Sequence, residues 1–96
     1  MHMSDMSYYS VTTSMKMAIN EFRQEHGYLP GTIFMSRSLF LFMNRHCRQK
    51  MQDSFEGIRI AIYDDTKFEY YLAEKKGTFY DVDYDVIKDE VVLHEV

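Results

Sequence analysis

The 96 residues hold a single cysteine, Cys47, so no intramolecular disulfide can form and a reducing compartment is expected. One proline and four glycines are too few for a linker or a low-complexity chain. There is no tryptophan. No apolar run approaches the ~20 residues that a membrane-spanning helix needs, and Leu39 to Met43 reads as a fragment of a soluble helix. The start, Met1-His2-Met3-Ser4-Asp5, has no apolar signal-peptide core and offers two initiating methionines. A cytoplasmic protein is the expectation.

What is present is globular. The chain is 46% hydrophobic and 27% charged, enough for one modest core. One domain over residues 1–96 is expected, with 1–6 frayed. The net charge of −4 argues against a general nucleic-acid binder. That charge is unevenly placed. Residues up to Gln52 carry +3, from Lys16, Arg23, Arg37, Arg45, Arg48 and Lys50 against Asp5, Glu21 and Glu25, and the remainder carries −7. Such a split governs steering and the choice of partner.

Periodicity gives the elements. Tyr8, Val11, Met15, Ala18, Ile19 and Phe22 recur at three- and four-residue steps, which predicts an amphipathic helix. Ser7, Ser10 and Thr13 are alternative caps for its start. Gly27 and Pro30 end it. Thr32 to Met35 reads as a short strand or an extended entry, and Ser36 caps a second helix over about 37–51. There Leu39, Met43, Cys47 and Met51 repeat every four residues, which places Cys47 in a buried stripe.

After Asp53 the period becomes two. Ile58, Ile60 and Ile62 alternate with Arg59, Ala61 and Tyr63, as in a half-buried strand. Asp64 to Lys67 is polar turn material, and Phe68, Tyr70 and Leu72 alternate after it, which predicts a hairpin. Tyr80 to Val86 and Val91 to Val96 read as further strands. The fold class expected is α+β, with two helices packed on one face of a small, mainly antiparallel three- or four-stranded sheet.

Chemical motifs are scarce. Cys47 follows His46 directly, and helical neighbours point about 100° apart, so the two do not form a nucleophile–base pair. The four histidines and Cys47 lack the spacing of a metal site. Asp81, Asp83 and Asp85 match the first three ligands of a calcium loop, but Val86 stands where glycine is needed and Val92 where the bidentate glutamate belongs. No phosphate loop or nucleophile elbow occurs. Neither a metal, a cofactor nor catalysis is expected.

Eight tyrosines, seven phenylalanines and eight methionines exceed what a small core can bury. Tyr8, Tyr9, Tyr63, Tyr71, Tyr80 and Tyr84 are therefore candidate interface anchors. Two charged patches with apolar centres add candidates. Leu41, Arg45 and Arg48 share a helix face, and Phe79, Asp81, Asp83 and Asp85 lie on one strand. Opposite charges on one chain are suited to self-association, so a homo-oligomer is expected.

The stretch Ala18-Ile19-Asn20-Glu21-Phe22, Gly27-Tyr28-Leu29-Pro30, Thr32-Ile33-Phe34-Met35-Ser36, Leu39-Phe40-Leu41-Phe42-Met43 and Phe55-Glu56-Gly57-Ile58-Arg59-Ile60-Ala61-Ile62 resembles the axial domain of tailed-phage major capsid proteins. The likeness covers about residues 16–74 and consists of packing positions. The spine helix, extended loop and amino-terminal arm of such proteins have no counterpart here. The resemblance implies a stand-alone piece of that architecture, phage or prophage encoded and resident in the host cytoplasm. Such a piece would work by contact, as an assembly factor or an inhibitor of a host protein. A nucleic-acid-binding regulator using the basic second helix is the alternative reading.

Overall fold

The structure is a computed structural model, and it describes residues 7–47, 53–76 and 93–96. Helix α1 spans Tyr8–His26, followed by strand β1, Thr32–Ser36, and helix α2, Arg37–His46. Four strands complete the described elements: β2, Ser54–Phe55; β3, Ile58–Tyr63; β4, Glu69–Ala73; and β5, Leu93–Glu95. They form one sheet in the order β2-β3-β1-β4-β5. The β1–β3 pair is parallel and the other three are antiparallel, so the α+β class and the mainly antiparallel sheet are as the periodicity predicts.

Local chemistry sets the helix ends. Ser7 is the cap chosen for α1, its hydroxyl accepting from the Ser10 N–H at 3.1 Å. Gly27 closes that helix at φ 80°, and its N–H reaches the Arg23 carbonyl. Ser36 caps α2 through the Leu39 N–H at 3.2 Å. Helix α2 ends at His46, shorter than expected. Cys47 is its cap residue, with extended backbone and a half-buried side chain, so it does not continue the stripe of Leu39 and Met43. The Tyr8 hydroxyl donates to its Sγ at 3.6 Å.

Both helices cover the same face of the sheet. Val11, Met15, Ala18 and Ile19 of α1 pack with Leu39, Phe42 and Met43 of α2. Beneath them lie Ile33 and Met35 of β1, Ile58 and Ile60 of β3, and Tyr70 and Leu72 of β4. The opposite face is also closed to solvent. Phe34, Ala61, Tyr63, Tyr71 and Ala73 form a second buried cluster there. In β4 the Glu69 carboxylate is buried and accepts from the Tyr63 hydroxyl at 3.0 Å. All five residues of β1 are buried, as suits a strand with neighbours on both sides and cover on both faces.

One expectation about strand pairing needs correction. The hairpin predicted between Ile62 and Phe68 does not form, because β1 lies between β3 and β4. Residues 64–68 must cross two strand spacings, about 10 Å, and five residues suffice. That loop is held over the start of α2. Arg37 pairs with Asp64, and the Ser38 hydroxyl donates to the Asp65 carbonyl at 3.0 Å. A hairpin does form at Glu56-Gly57, with φ of 52° and 78°, joining Phe55 to Ile58. Positive φ at both central residues is the two-residue turn that matches strand twist.

Candidate functional site

The outer face of α1 meets β5, the last of the described strands in the sheet order, along an open groove of about 500 Å³. Two rows of α1 line it, each at four-residue steps. Tyr9, Thr13 and Met17 form one row, and Ser10, Ser14 and Ala18 the other, with Glu21 at the far end. His94 of β5 forms the opposite wall. The rows exist because the buried stripe of α1 uses Val11, Met15, Ala18 and Ile19, which turns Tyr9, Thr13 and Met17 outward. Tyr9 is 80% exposed and Met17 60%, and Leu93 beside His94 is also exposed.

Tyr70 lies under the groove. Residues Tyr70 and His94 are direct cross-strand partners, and their rings stack at 4.8 Å and 11°. The Tyr70 side chain is fully buried and its hydroxyl has no hydrogen-bond partner among the described residues. Burial raises its pKa above 10.0; the nearby Ser14 hydroxyl opposes this without completing a hydrogen bond, and the Glu21 carboxylate reinforces it. For His94, burial lowers the pKa below 6.5 and Glu21 acts the other way. The groove thus has an apolar rim, hydroxyls on its helix wall, a carboxylate at one end and an unsatisfied phenol below.

The residues singled out from sequence are dispersed. Leu41 and Arg45 stand exposed on α2. Arg48, Phe79, Asp81, Asp83 and Asp85 lie outside the described residues, as do Tyr80 and Tyr84. Tyr71 is a correction, being 1% exposed inside the second cluster with its ring 6.0 Å from that of Tyr63. Tyr63 is buried with it. Both fail as surface anchors because β3 and β4 are covered on both faces, where period-two alternation suggested one wet face. Of the tyrosines described, Tyr9 meets the expectation best.

Sequence reasoning missed Ser10, Ser14, Met17, Glu21 and His94 as companions of Tyr9. The signal available was Tyr9, Thr13 and Met17 at four-residue spacing, off the core stripe. Among the described residues, no three His, Cys, Asp or Glu side chains converge as metal ligands, and no helix is long and apolar enough to cross a membrane. Comparison with family models, with curated proteins and with solved structures finds no match.

Proposed function

We propose that this protein is a non-enzymatic interaction module that docks its α1–β5 face on another protein chain. The observation that carries the reading is the exposure of Tyr9 and Met17 beside one groove, on a helix whose opposite side is fully used by the core. Large apolar side chains gathered at a concave, polar-edged surface are what protein interfaces bury. Tyrosine suits such a contact because it combines a wide ring with a hydrogen-bonding tip. The resemblance of residues 16–74 to a capsid axial domain favours an assembly role of the phage kind over a metabolic one. Against the nucleic-acid reading, Arg37 is engaged with Asp64, which leaves little of a basic strip on the described part of α2.

A photoreactive amino acid in place of Met17 tests this in the producing cell. Discrete protein adducts are expected, with none from the same residue placed at the exposed Lys67 in the β3–β4 loop. Adducts to nucleic acid alone, or a shift of DNA or RNA mobility at physiological salt, would overturn the reading.

A further inference from the structure

We propose that the α1–β5 groove receives helix α1 of a second copy of this chain, packed antiparallel about a two-fold axis. The inference rests on the reading of the groove as a protein-docking site and names its occupant.

A two-fold contact sets one patch against itself, so the patch must be self-complementary. The outer row of α1 runs Tyr9, Thr13, Met17, Glu21. Its ends are a phenol and a carboxylate, about 18 Å apart at the α-helical rise. Antiparallel pairing centred near residue 15 places Tyr9 against Glu21 of the second copy, and Thr13 against its Met17. Each such pair occurs twice. Both end groups are available. The Tyr9 phenol makes no hydrogen bond, and the Glu21 carboxylate makes no hydrogen bond or ion pair, among the described residues. An O–H to carboxylate bond is of the stronger, charge-assisted kind. The two Glu21 carboxylates then sit at opposite ends, farther apart than the Debye length of about 8 Å, so they do not oppose the contact.

The inner row sets how close the helices come. Ser10, Ser14 and Ala18 are small, which lets two helix axes approach to about 8–10 Å. Under that row is the buried, unpartnered hydroxyl of Tyr70. Pairing closes the groove over it. The contact also covers Tyr9 and Met17.

Sedimentation equilibrium of the full chain tests the proposal. The wild type should be a dimer at micromolar concentration. Tyr9→Glu sets two carboxylates together at each end and should weaken association at least about tenfold. Tyr9→Glu combined with Glu21→Lys exchanges the charges across the contact and should restore it. Arg45→Glu on the α2 surface should leave it unchanged. Positions 9, 21 and 45 are exposed, and unchanged melting curves of dilute samples establish that these variants fold. A wild type that stays monomeric at high micromolar concentration, or a Tyr9→Glu variant that dimerises as well as the wild type, would overturn the proposal. If the Met17 probe captures a different protein while the purified chain is monomeric, docking stands and self-pairing falls. Absence of any adduct overturns both readings.

Discussion

The Tyr70 hydroxyl is buried beside that of Ser14 without a completed hydrogen bond among the described residues, while its ring supports the apolar core between α1 and the sheet. A buried polar group without a partner costs ~1–3 kcal/mol of desolvation, so its removal should help the isolated fold. Tyr70→Phe is expected to stabilise the dilute monomer by ~1 kcal/mol, read as a higher urea midpoint at unchanged slope. His94, stacked on Tyr70, gives a pH dependence. Burial depresses its folded-state pKa below 6.5, so the unfolded chain binds the proton more readily. Stability from this group is therefore full above about pH 6.5 and declines as pH falls through the folded value. Among the described residues, Glu21 is the charged group that acts on His94, and it moderates the effect. The melting temperature should drop between pH 7 and pH 5 more in the wild type than in His94→Gln, and equal slopes would show that His94 carries none of it.

At the scale of elements, β1 organises the molecule. It pairs with β3 on one side and β4 on the other, and its residues are buried on both faces. Entry to this strand is sterically tight. A Cβ added at Gly31 would lie 2.5 Å from the Glu74 carbonyl oxygen and 2.7 Å from the Lys75 carbonyl carbon, both backbone atoms. The chain at Gly31 is also tied to β4 by its N–H to the Ala73 carbonyl at 2.8 Å. Gly31→Ala should cost ~1–3 kcal/mol by overpacking, measurable by urea denaturation. The effect comes from space and not from a left-handed backbone. In β3, Ile60 is 4% exposed under the helices. An unpaired carboxylate there costs more than the margin of a small domain, so Ile60→Asp should abolish cooperative melting.

For the whole molecule, the described elements leave one side of α1 uncovered, and that side faces the short strand β5. Pairing through this face links stability to concentration, since the dimer is bound only by the folded chain. The wild-type melting temperature should rise with protein concentration, and this dependence should vanish in Tyr9→Glu. A concentration-independent melting temperature in both would mean that the apolar rim is covered by nothing under these conditions. The basic and acidic halves of the sequence suggested a different contact, built from Leu41, Arg45 and Arg48 against the run from Phe79 to Asp85. Leu41 and Arg45 remain exposed and keep that α2 surface open to a foreign partner.

Residues and their spacing alone determined the two helices, the cap at Ser36, the stop at Gly27, the strands beginning near Thr32, Ile58 and Phe68, and the α+β class. These are local properties, set by periods of 3.6 and 2 and by the conformations serine and glycine favour. Strand order was decided only in three dimensions. A run such as Phe68 to Leu72 alternates equally well beside β3 or one strand away, and the choice belongs to β1, whose double-sided burial requires a neighbour on each edge. The Glu56-Gly57 hairpin was hidden because glutamate is an unusual first residue for that turn. The buried state of Tyr63 and Tyr71 was hidden because alternation reports one covered face and is silent about a second. The groove is tertiary in the same sense. Tyr9, Met17 and Glu21 are legible as one outward row of a helix, but His94 joins them only because β5 pairs with β4 and sets its ring on that of Tyr70.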